Sequence, residues 1–204
     1  DCSQGFFASL TSAYFQLGLE HILGGIDHVL FIAALVLLPA TLSKLAALVT
    51  SFTVAHSITL SLSVLDVVTL PVSLTEPAIA LSIVFVCLMT LYAVAGVRHS
   101  TDWVKTLKEA NRHRLMITFA FGLIHGFGFS YILREMGLGE ERVGALLLFN
   151  LGVEAGQLLL IVALFPVLLL VQRLSKGWVL VSANALVVLV ISSYWFFERV
   201  GSSL

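Results

Sequence analysis

Two histidines seven residues apart, His21 and His28, stand in an otherwise apolar stretch with Gly24, Gly25 and Asp27 between them. Seven residues make nearly two turns of helix, so both imidazoles project from about one face. Further along, Thr53-Val-Ala-His56-Ser57, Gly122-Leu-Ile-His125-Gly126 and Asn150-Leu-Gly152-Val-Glu154-Ala-Gly156-Gln157 each set polar or ionisable side chains into another apolar run. Asn150, Glu154 and Gln157 follow the i, i+4, i+7 spacing and share a stripe. Three imidazoles with one or two carboxylates are a donor set that zinc, nickel, cobalt or iron accepts. Thiolate ligation has no support, because Cys87 is isolated and Cys2 lies near the terminus. The natural reading is a divalent transition metal held by Asp27, His28, His56, His125 and Glu154, with His21, Ser57, Asn150, Gln157, Gly25 and Gly126 in support. Asp27 also suits a role one step removed, orienting a histidine. Each residue has a plainer account as well: His56 bonded to Ser57 or a facing carbonyl, His125 filling a close crossing at Gly122 and Gly126, Asn150 as interhelical glue.

What must position these groups follows from composition. Of 204 residues 59% are hydrophobic and only 11% charged, with mean hydropathy +1.04, which is not the surface of a water-soluble domain. A net charge of −1 offers no basic field, so nucleic-acid binding drops out. At roughly 20 residues per crossing, the reading is an all-α polytopic transmembrane bundle forming a single membrane-embedded domain. Its six spans lie at about 17–38, 44–65, 74–97, 115–133, 143–172 and 177–197. Phe6–Phe15 is apolar but short and reads as an interfacial helix. Pro166 reads as a kink near one end of the fifth span. Only the third connection, Arg98–Arg114, has room for structure of its own. Asp1 in place of methionine suggests that a leader or upstream segment was removed.

Lysine and arginine orient the bundle. With the N-terminus outside, the cytoplasmic side carries Lys44, Arg98, Lys105, Lys108, Arg112, Arg114, Arg173 and Lys176, against Arg134, Arg142 and Arg199 outside, eight to three. Counting inward at 1.5 Å per residue then places His28 and Asp27 about 15 Å deep, His56 about 14 Å, His125 about 12 Å, Asn150 about 11 Å and Glu154 about 17 Å. Residues on helices of alternating direction thus fall in one layer. Ionisable groups there cost roughly 2.5–3.5 kcal/mol each on insertion scales, so each needs a reason. Glu20, His21 and Glu76 fall nearer the outer rim and read as an entrance.

The strings His21-xxx-Gly25-x-Asp27-His28, Phe52-Thr53-x-Ala55-His56-Ser57, Phe121-Gly122-Leu-x-His125-Gly126-x-Gly128-Phe129 and Phe149-Asn150-x-Gly152-Val-Glu154-x-Gly156-Gln157 together resemble the HupE/UreJ family of bacterial membrane proteins. The hydrogenase-linked branch has proline after the first histidine; Ile22 here looks like the second branch. The resemblance implies a secondary permease of the cytoplasmic (inner) membrane for nickel or cobalt, with the first-span His/Asp motif as the metal contact. A different reading of the same residues is an intramembrane hydrolase, three histidines holding zinc and Asp27 or Glu154 acting as general base. A third makes the layer a structural polar network. The partners implied are the metal ion and the lipid bilayer, with room for a homo-oligomer.

Overall fold

The computed structural model describes residues 2–36, 38–97, 100, 102–110, 113–136 and 142–202, with side chains from residue 12 onward except those of 109, 110 and 136. Among them every regular element is an α-helix: α1 (Cys2–Gly24), α2 (Ile26–Val36), α3 (Leu42–Val64), α4 (Val72–Val97), α5 (Trp103–Ala110), α6 (Arg114–Met136), α7 (Arg142–Arg173) and α8 (Gly177–Gly201). Helices α3, α4, α6, α7 and α8 are each long and apolar enough to cross a membrane, and α1 from Ser12 together with α2 makes a sixth crossing if that pair is one span. In hydrocarbon every backbone polar group has to be satisfied within its own segment, which selects the helix for each run. The hydroxyls inside the runs obey the same demand: Ser57 donates to Thr53 O at 2.6 Å, Thr90 to Val86 O at 2.9 Å and Ser192 to Val188 O at 2.7 Å.

The first span is not a straight rod. The N-terminal helix runs without a break into its first half, and the chain then bends by 66° between α1 and α2. Gly25 sits at the joint. Its N–H donates to His21 O at 3.0 Å, closing the last turn of α1, and its carbonyl accepts from His28 N and Val29 N at 3.0 and 3.1 Å, opening α2. The third connection holds α5, anchored by the buried side chains of Trp103 and Leu107 against Leu38, Val94, Val97, Val171 and Val181. The Trp103 indole donates to Leu174 O at 3.2 Å. Helix α7 continues through Pro166. Arg98 and Arg112, counted above for orientation, and the side chain of Cys2 lie outside the described residues.

Three close helix pairs build the bundle: α3 with α6, α1 with α7 and α4 with α8. Small residues set the first two. A Cβ at Gly18 would overlap Phe149 O, one at Gly152 would overlap Phe15 O, and one at Gly126 would overlap His56 O. Helix α2 touches α4, α7 and α8 and buries Phe31, Ile32, Ala34, Leu35 and Val36, which at about 100° per residue cover a little over half of its circumference, a broader face than a helix with one packed side shows. The outward faces carry Leu147, Val162, Leu170 and Val190, all more than half exposed, a surface matched by lipid and not by water.

Candidate metal centre

The break at Gly25 brings two imidazoles together. His21 ends α1, His28 begins α2, and their ring centroids stand 4.5 Å apart, edge to face. Helix α3 contributes His56, 6.0 Å from His21 and 6.5 Å from His28 between ring centroids. One nitrogen from each of the three lies within 4.8 Å of the others. Glycine is required at the joint: a Cβ at Gly25 would meet His21 O at 2.5 Å and His28 Nδ1 at 2.8 Å. Glycine is required also where α6 crosses α3, since a Cβ at Gly126 would strike Thr59 Oγ1 as well as His56 O.

His125 on α6 adjoins this trio, its ring 5.4 Å from that of His28, without completing the cluster. Its Nε2 lies 2.9 Å from Ser82 Oγ, and the Ser82 hydroxyl donates to Ile79 O at 2.6 Å. With its one proton so committed, Ser82 accepts from Nε2–H, which leaves the lone pair of His125 on Nδ1, the assignment following from the hydrogen-bond network. The walls are aromatic. Phe129 lies 3.9 Å from His21, Phe52 stacks on His56 at 6.0 Å, and Phe31 stands 5.4 Å from His125.

Burial and pairing do not balance here. His28, His56 and His125 are 7%, 0% and 1% exposed. His21 Nε2, both nitrogens of His28 and His56, and His125 Nδ1 have no hydrogen-bond partner of ordinary geometry among the described residues. Asn150 is the polar neighbour of His56, with its amide donated to Leu146 O at 2.8 Å. A buried polar group left unmade costs about 1–3 kcal/mol. These six nitrogens sit on four neighbouring rings, and one from each of His21, His28 and His56 faces the same small space. Neutral imidazoles from three helices, with a fourth alongside, suit a borderline transition metal.

The other residues singled out in the sequence take separate places. Asp27 turns away from the imidazoles and accepts from Arg199 Nη2 at 2.8 Å. Glu154 lies in a groove of about 620 Å³ between α3 and α7, lined also by Thr50, Ser57 and Asn150, where Oε1 accepts from Thr50 at 2.5 Å. Gln157 is buried and accepts from Thr53 at 2.9 Å. His21, put at the rim when α1 and α2 are counted as one straight helix, is instead folded onto His28 by the bend. Arg199 and Ser82 were not legible as site residues. Arg199 follows the last aromatic run and reads as a topology charge, and only its long side chain reaching back shows otherwise.

The description HupE / UreJ protein belongs to a family model that matches residues 3–199. The chain belongs to that family. No curated protein and no solved structure matches it.

Proposed function

We propose, on the premise that this HupE/UreJ protein handles the metals with which its family is associated, that it is a permease for a divalent transition-metal cation, nickel or cobalt, in the inner membrane. The observation that carries the reading is the trio His21, His28 and His56, each from a different helix, with nitrogens within 4.8 Å of one another, His28 and His56 buried, and five of the six ring nitrogens without a hydrogen-bond partner of ordinary geometry among the described residues. Metal–imidazole bonds of about 2.0–2.1 Å put donors on one ion about 3.3 Å apart. The trio therefore tightens around a cation by up to roughly 1.5 Å, and the α1–α2 joint is the element that can give. Three neutral donors, with His125 adjoining, hold a cation without the permanence of a thiolate cage, as a site that must also release requires.

Orientation follows the lysine and arginine split, N-terminus outside. The end bearing Asp27, Glu76 and Arg199 then faces outward, and the α5 end faces the cytoplasm. Glu154 supplies negative charge in the neighbouring groove, one turn from Asn150 beside His56. The hydrolase reading asks for a carboxylate facing the open position on a metal. Asp27 is engaged by Arg199, and Glu154, whose Oε1 accepts from Thr50, lies in the groove between α3 and α7 and does not join the histidine cluster, so neither favours it.

Purified protein in vesicles holding a metal-sensing dye tests the proposal. The wild-type chain admits Ni²⁺ or Co²⁺ and His28→Ala does not. Wild-type protein that binds the cation yet moves none under any imposed proton or voltage gradient overturns it.

A further inference from the structure

Arg199 binds the residue that directly precedes His28 in a specific way. Its Nη2 is 2.8 Å from Asp27 Oδ2, its Nη1 donates to Glu76 O at 3.2 Å, and its Nε stands 4.0 Å from Glu76 Oε2. The Trp195 ring lies 5.6 Å from the guanidinium carbon. The Arg199 and Asp27 side chains are only 19% and 24% exposed, so the pair is partly withdrawn from solvent. Asp27 directly precedes His28, a residue 7% exposed whose two ring nitrogens are buried without a hydrogen-bond partner among the described residues. A cation arriving from this side meets a carboxylate that already holds one.

We infer that Arg199 is a tethered counter-cation that occupies Asp27 and Glu76 when no metal is bound, and that a divalent cation reaches His28 by displacing the guanidinium from Asp27. This rests on the cation-binding reading of the trio and assigns Arg199 the role of a positioning residue that sets affinity and selectivity. Two like charges cannot share one carboxylate without repulsion, so guanidinium and metal bind Asp27 in competition. The competition favours a divalent ion over a monovalent one, because only the former brings more charge than the one it displaces. Arginine also holds its partners through several directed hydrogen bonds at once, whereas lysine has one compact charge.

Equilibrium Ni²⁺ binding to the full chain in lipid nanodiscs at fixed low salt tests this by rank order. Removing the competitor raises affinity, so Arg199→Gln binds Ni²⁺ about tenfold tighter than wild type, with Arg199→Lys between the two. Adding Asp27→Asn to Arg199→Gln abolishes the gain. Millimolar guanidinium added to Arg199→Gln returns its affinity toward that of wild type. A residue that merely braces the fold produces the opposite order, wild type tightest and Arg199→Gln weakest, and that result overturns the inference even if Arg199→Gln is poorly folded, since Arg199→Lys reports the same direction. Equal affinities overturn it too. Those failures leave wild-type binding intact, whereas the absence of Ni²⁺ binding in wild type and both variants sinks the metal reading and this inference together.

Discussion

His21 and His28 stand nearly two turns apart along the chain, yet their imidazoles meet with ring centroids 4.5 Å apart, because the helix that carries them breaks at Gly25. In an unbroken helix the same pair is separated by about 10 Å along the axis. The bend therefore brings two imidazoles of one helix face together, and His56 and His125 arrive beside them from α3 and α6.

Gly25→Ala should damage the centre more than the fold. The added Cβ meets a backbone carbonyl and the His28 ring itself, and an overpacked contact of this kind costs about 1–3 kcal/mol. The expected outcome is a modestly lowered unfolding temperature with Ni²⁺ affinity reduced at least about tenfold. Calorimetry on the variant checks both. Affinity unchanged from wild type would remove the bend from the account.

On the permease proposal, His28→Ala and His56→Ala should each abolish most high-affinity Ni²⁺ binding, because losing one donor of the trio leaves too few for one ion. His113→Ala, in the link before α6, should leave affinity within about twofold. Titration with a metal-sensing dye distinguishes them. Equal retention in all three variants would turn the trio into a structural network.

Acidification should weaken binding and never strengthen it. A metal takes the lone pair of a neutral imidazole, so protons compete with it, and more than one proton should be displaced per ion if several histidines share it. Dissociation constants measured as the pH is lowered should therefore rise once protons reach the buried imidazoles, and fall nowhere along the series. Binding that tightens on acidification would count against imidazole ligation.

Ser100 lies just before α5, on the side assigned to the cytoplasm. With Cys2 and Cys87 replaced by serine and alanine, Ser100→Cys should react with an impermeant maleimide only after the membrane is opened. Labelling in intact cells would reverse the bundle and move Arg199 to the cytoplasmic face.

Much of the helical framework is legible without coordinates, because hydropathy is a local property. Any run such as Val72–Val97 or Gly177–Gly201 has to be helical in lipid whatever its neighbours do. The same locality hides the bend: a Gly-Gly pair in a span is compatible with a straight helix packed closely, and only the carbonyl geometry around Gly25 separates the two. The hydroxyl of Ser82 gives no signal in its run, since a lone serine in a span most often bonds its own helix, as this one also does to Ile79 O.

The chain by itself determines the crossings, the pairing of small residues at close contacts and the short roster of histidines and carboxylates that must be accounted for in lipid, because each follows from the cost of placing a residue type in hydrocarbon. Which of them meet is decided only by tertiary structure. Asp27 and His28 are neighbours in sequence, but side chains on adjacent helical residues point about 100° apart, so His28 joins the imidazoles while Asp27 joins Arg199 from a helix 172 residues away. Glu154 shares its depth with the histidines by counting, yet the rotation of α7 turns it toward Thr50. Depth is set by the length of chain from a loop, and rotation about each axis by the packing of every neighbouring helix.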